Sequence, residues 1–136
     1  MEKAFRRDYS SLDQIFGLID EALENENANE AVGFALKLAT EELFTNMVKY
    51  NSGSASQIRI RIGNRSGALV VELIDDDVDP FDPNDADMAD VADTVEDRRI
   101  GGLGLRLVRS VVDRISYSYE CKDRRMTVEL VKQLEE

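Results

Sequence analysis

Three isoleucines at every second position, Ile58, Ile60 and Ile62, with Arg59 and Arg61 between them, constrain this chain more than any other feature. Successive side chains on a strand point to opposite faces, so the pattern calls for a sheet with one apolar and one hydrated face. Asn64 to Gly67 supplies turn residues, and Leu69 to Ile74 reads as the return strand of a hairpin.

Helical spacing precedes that hairpin. Ser10-Ser11-Leu12-Asp13 is a helix start, and Leu12, Ile15, Phe16, Ile19, Ala22 and Leu23 recur on one face to about Leu23. Segment 25–30 turns the chain, and a longer helix is expected from about Glu30 to Tyr50, ending at Asn51-Ser52-Gly53. Phe5 to Tyr9 reads as a short β-like stretch. Asp75 to Arg99 reads as a long loop, after which Gly101-Gly102-Leu103-Gly104 opens a third helix carrying Leu105, Leu107, Val108, Val111, Val112 and Ile115. Two final strands are expected at about 115–121 and 125–132. No internal repeat or linker interrupts this order, so residues 1–136 are expected to form a single domain, and a chain of 136 residues has room for one α/β core.

Composition excludes several classes of function. The formal charge of −11 argues against direct nucleic-acid binding, which needs clustered Lys and Arg. The acidity is local: twelve carboxylates and no basic residue lie between Glu72 and Asp97. No apolar run approaches a membrane span and no basic-then-apolar start resembles a secretory signal. With Cys121 as the only cysteine, a reducing, cytoplasmic location is expected. The chain contains no histidine, which removes Ser–His triads, histidine metal sites and phosphohistidine chemistry together.

The second helix carries a polar stripe. At 100° per residue, Glu42, Asn46 and Lys49 lie within roughly 60° of one another, in line with the small Ala35 and Ala39. A carboxylate, an amide and an amine thus share a face otherwise suited to packing, although Glu42 and Asn46 taken alone also read as an ordinary surface pair. Downstream, the glycines 101, 102 and 104 place free backbone N–H groups at a helix N-terminus, which suits phosphate; alone, the same residues read as a tight turn. They fit neither a dinucleotide fingerprint, whose third glycine falls on Leu107, nor a Gly-Lys-Ser/Thr phosphate loop. Asp75, Asp77 and Asp79 have the opening spacing of a calcium loop, but Pro80 and Ala86 stand where it needs glycine and glutamate.

Together these pieces resemble a known family. Glu41-Glu42-Leu43-Phe44-Thr45-Asn46-Met47-Val48-Lys49-Tyr50 resembles the N-box of the GHKL ATPases. Asp75-Asp76-Asp77-Val78-Asp79-Pro80-Phe81-Asp82-Pro83 resembles the following Asp-x-Gly and Pro-Phe-Asp-Pro box, and Gly101 to Leu105 resembles the second glycine box. The Pro-Phe-Asp-Pro ending and small size are similar to the anti-sigma-factor serine/threonine kinases. The resemblance implies an α+β Bergerat fold, a two-layer sandwich with a mixed, mostly antiparallel sheet and helices on one face. It also implies ATP and Mg²⁺ as cofactors, a sigma factor and an anti-anti-sigma antagonist as partners, and often a homodimer. Carried over by position, Glu42 takes the place of the general base and Asn46 that of the Mg²⁺ ligand, with Lys49 near the phosphates. Asp76 best matches the aspartate that bonds the adenine amino group, Gly102 and Gly104 lie against the phosphates, and Arg98 or Arg99 supplies a lid contact. The chain departs from the pattern at the glycine of Asp-x-Gly. That glycine falls on Val78, or on Asp77 after a shift of one residue. A non-catalytic interaction module of the same fold is the alternative reading. A sensor histidine kinase would need a phosphoaccepting histidine, and this chain has none.

Overall fold

A computed structural model describes residues 1–51, 54–79 and 104–134. The strands in it are β1 (Glu2–Phe5), β2 (Ile58–Arg65), β3 (Ala68–Asp75), β4 (Arg114–Glu120) and β5 (Arg125–Gln133). They form a five-stranded sheet in the order β1-β2-β3-β5-β4, and every pairing among the described strands is antiparallel. The helices are α1 (Leu12–Asn25), α2 (Glu30–Tyr50) and α3 (Gly104–Val111).

The β2–β3 hairpin has the register that its isoleucines require. Ser66 and Gly67 form a two-residue turn with φ of 54° and 87°. Positive φ at both central positions matches the right-handed twist of the flanking strands. Arg65 therefore pairs with Ala68 and, seven residues out, Ile58 pairs with Asp75. Ile58, Ile60 and Ile62 are buried with Leu69, Val71 and Leu73 against Leu36, Leu43, Phe44 and Met47 of α2 and Ile15 and Ile19 of α1. This is the core, on one side of the sheet.

The opposite face carries ion pairs. Arg61 reaches Glu2 and Glu72, while Arg65 and Arg114 reach Glu129. Solvated pairs of this kind add little stability each, but they keep the face hydrated. A two-layer α+β arrangement results, with helices on one side.

Local signals set most boundaries. The Asn29 side chain accepts a 2.9 Å hydrogen bond from Val32 N and starts α2. A Cβ built on Gly33 would lie 3.1 Å from Leu23 Cδ1, so the glycine admits α1 at close range. Two expectations change. The first strand is Glu2–Phe5 rather than Phe5–Tyr9, because Asp8 caps a short 3₁₀ turn at Tyr9–Ser11 and ends the extended run. The third helix ends at Val111, so Ile115 belongs to β4.

Candidate functional site

Helix α2 buries its polar stripe. Ala35, Ala39 and Asn46 are at most 2% exposed, and Glu42 is half-buried one turn before Asn46. Glu42 Oε2 and Asn46 Nδ2 are both buried, and no hydrogen bond of ordinary geometry reaches either among the described residues, although the Asn46 amide lies near enough to act on the Glu42 carboxyl. Burial pushes the Glu42 carboxyl above its ordinary value, and Glu41 adds to the rise while the neighbouring Asn46 amide and Lys49 oppose it. Lys49 lies one turn further on, its ammonium 5.3 Å from the centre of the Tyr50 ring. The structure thus brings Glu42, Asn46 and Lys49 onto one helix face, as their spacing requires.

Asp76 goes elsewhere. Its carboxylate accepts from Arg125 Nε at 2.6 Å and from Arg59 Nη2 at 3.2 Å, on the ion-paired face of the sheet. Partial burial raises its pKa, but the Arg125 and Arg59 guanidiniums outweigh this and hold it low. The buried carboxylate is its neighbour. Asp75 is 0% exposed and shares a face with its strand partners Ile58 and Met126, both in the core. Sequence reasoning missed this residue, although it follows from the hairpin register once the turn is fixed at Ser66-Gly67.

One guanidinium holds Asp75 against the helix layer. Arg7 Nη2 donates to Asp75 Oδ1, Nη1 donates to the Met47 carbonyl of α2 at 3.1 Å, and Nε donates to the Ser56 carbonyl at 3.2 Å. The Arg7 side chain is 6% exposed. Burial pushes the Asp75 carboxyl up, Arg7 opposes the shift, and the Asp76 charge adds to it. Asp75 Oδ2 remains buried without a hydrogen-bond partner among the described residues.

The loop after β3 is fixed by the β4–β5 turn. Val78 N donates to the Arg124 carbonyl at 3.0 Å, and Tyr119 Oη donates to the Val78 carbonyl at 2.8 Å. The Val78 side chain is itself core, at 2% exposed. The left-handed backbone conformation falls one residue earlier, on Asp77 at φ 56°. Aspartate tolerates that region better than most residues, and valine does not. The positive φ thus stands two residues after Asp75, the spacing of an Asp-x-Gly turn. An open cleft of about 450 Å³ lies beside it, lined by Tyr50, Asn51, Ser54, Asp77, Val78 and Arg124 among others.

Gly104 is the first residue of α3, which packs against α2. Gly102, Arg98 and Arg99 lie outside the described residues, as does the Pro-Phe-Asp-Pro segment. Among the described residues no helix is long and apolar enough to cross a membrane.

The described residues thus combine an antiparallel sheet covered on one side, a long helix with a buried carboxylate–amide stripe, and a buried aspartate ending the central strand. The chain belongs to the histidine kinase-like ATPase domain family, which matches residues 5–132. No curated protein matches it in sequence. Among solved structures it is similar to a chain of the SiaB–SiaC complex from Pseudomonas aeruginosa, with TM-score 0.64 and 16% identity over 96% of this chain and 88% of that one. It is also similar to the histidine kinase AdeS of Acinetobacter baumannii, with TM-score 0.54 and 11% identity over 100% of this chain and 68% of that one. At these identities both matches speak to the fold.

The residues fit the nucleotide that the family implies. Asp75 Oδ2 is a buried acceptor without a donor among the described residues, and the amide oxygen of Asn46 beside the Glu42 carboxylate is of the hard type Mg²⁺ prefers.

Proposed function

We propose that this protein is an ATP-dependent serine/threonine kinase of the anti-sigma type, which binds a sigma factor and phosphorylates an anti-anti-sigma antagonist. The observation that carries the proposal is that Glu42 Oε2 and Asn46 Nδ2, with Thr40 Oγ1, on α2 and Asp75 Oδ2 at the end of β3 are buried without hydrogen-bond partners among the described residues. Folded chains rarely leave such atoms unpaired without a ligand or a chemical task for them.

Glu42, Asn46 and Asp75 each have a role in this reading, Asn46 through its amide oxygen. Asp75, rather than Asp76, accepts the adenine amino group. Asn46 would hold Mg²⁺, with Lys49, Gly102, Gly104 and Arg99 toward the phosphates. Bound there, the metal supplies charge neutralisation for the triphosphate in an acidic neighbourhood. Glu42 accepts the proton of the attacking hydroxyl as that oxygen bonds to the γ-phosphorus and the bond to ADP breaks. Its raised pKa makes it a better base than a solvated glutamate. A protein partner is supported by the similarity to a chain crystallised in a two-protein complex. A homodimer is included in the proposal, and a cytoplasmic location follows from the work assigned.

Incubating the protein with labelled ATP, Mg²⁺ and candidate antagonists tests it. Label should reach a serine or threonine of one antagonist. Glu42→Ala should slow transfer by about 10² or more while ATP affinity changes only a few-fold, because a base acts on the transition state. ATP binding without transfer to any antagonist would instead identify a non-catalytic interaction module.

A further inference from the structure

The Arg7 guanidinium is buried and engaged on three sides. It joins four parts of the fold: the segment after β1, the last turn of α2, the residue Ser56 ahead of β2, and the end of β3. Its contact with Asp75 is asymmetric. Oδ1 is taken by Arg7, whereas Oδ2 is buried and unpaired among the described residues.

We infer that Arg7 is a positioning residue for base recognition: it fixes Asp75 so that Oδ2 presents only an acceptor, which selects nucleotides carrying a 6-amino group over those with a 6-oxo group. This rests on the reading that Asp75 meets the purine.

A carboxylate can only accept, while its protonated form has one O–H to donate. Burial alone drives Asp75 toward the protonated form, and the adjacent Asp76 charge pushes the same way. A protonated Asp75 would donate to a 6-oxo oxygen about as readily as it would accept from a 6-amino group, and the site would lose its sense of direction. Arg7 opposes this in two ways. Its permanent charge favours the ionised carboxylate. Its bonds to the carbonyls of Met47 and Ser56 hold the guanidinium still, so Oδ1 is occupied and the carboxylate cannot turn. With Oδ2 fixed as an acceptor, an amino N–H is matched and an oxo oxygen is opposed lone pair to lone pair. Sites built around one buried hydrogen bond discriminate strongly, because the wrong ligand leaves the protein atom unpaired.

The test compares ATP with inosine triphosphate, which carries a 6-oxo group and an N1–H where ATP has a 6-amino group and an N1 lone pair. Affinities are measured by calorimetry with Mg²⁺ on the full chain, for wild type, Arg7→Met and Arg7→Lys. Wild type should prefer ATP by about 100-fold or more. In Arg7→Met the preference should fall at least tenfold, and in Arg7→Lys, which keeps the charge, most of it should return. A merely structural role would weaken both nucleotides in proportion and leave the ratio intact, and that result overturns the inference. Tighter ATP binding by Arg7→Met also overturns it, because Arg7 would then be a competitor for Asp75. If Arg7→Met does not fold, the wild-type guanidinium N–H resonances decide. They should stay sharp and bonded when ATP saturates the site, and their loss on ATP binding would mean that the nucleotide displaces Arg7. Should wild type bind neither nucleotide, the proposed kinase function fails, which is distinct from binding with an unaltered ratio in the variants.

Discussion

Moving a carboxylate from position 76 to position 75 carries it from one face of the sheet to the other, and in the proposed function this decides which aspartate meets the ligand. Asp76 is shared between Arg59 and Arg125 at the hydrated face, while Asp75 is enclosed with Arg7. The two should respond differently to truncation. Asp75→Ala leaves the Arg7 charge buried and should cost about 3 kcal/mol or more of stability in urea unfolding. Asp76→Ala breaks exposed pairs and should cost about 1 kcal/mol or less. Glu42 gives a pH-dependent prediction. Its pKa is raised in the folded chain above the ordinary 4.5, so its protonated form is favoured by folding. The resulting stability is fully present below pH 4.5 and is lost as pH rises through the folded-state value. Glu42→Gln should therefore melt higher than wild type at pH 7, with the gap closing as the pH falls toward 4.5. An equal gap at all pH values would contradict the buried carboxylate.

At the scale of elements, the loop after β3 keeps the shape of an Asp-x-Gly turn without the glycine. Asp77 takes the left-handed conformation, and Val78 contributes a buried side chain and two backbone hydrogen bonds to the β4–β5 hairpin. Asp77→Gly should be neutral or stabilising by up to about 1 kcal/mol, since it relieves a positive φ. Val78→Gly should destabilise by about 2 kcal/mol through the cavity and the added backbone freedom, and should not tighten ATP binding. Both follow from thermal melts of the two variants. The sequence carried much of this layer in legible form. The bounds of α2 were readable because a turn over 25–30 precedes it, Asn51 follows it, and the apolar spacing fills the interval. The strand at Glu2–Phe5 was not, since Phe5 alone is buried in it and its identity depends on pairing with β2. The aspartate face was hidden for another reason: it turns on a two-residue loop that must be located to the single residue before the register puts Asp75 opposite Ile58.

For the whole molecule, the helix stripe was visible from spacing alone, because helical periodicity fixes Glu42, Asn46 and Lys49 relative to one another. The link between Arg7 and Asp75 joins positions 68 residues apart and has no local pattern to announce it. A ligand that binds only the folded state raises its stability by mass action, about 2.7 kcal/mol at a hundred times the dissociation constant. Magnesium ATP should accordingly raise the melting temperature in a concentration-dependent way. The most direct test of the account is a calorimetric titration of Mg²⁺-ATP into wild type, Asp75→Asn and Asp76→Asn, with far-ultraviolet circular dichroism confirming that each is folded. Asp75→Asn replaces a buried acceptor by an amide of the same shape, whereas Asp76→Asn alters only the hydrated face. Wild type should show one saturable site per chain, Asp76→Asn an affinity within a few-fold of it, and Asp75→Asn a loss of tenfold or more. No binding by wild type at millimolar ATP, or a loss confined to Asp76→Asn, would contradict the account.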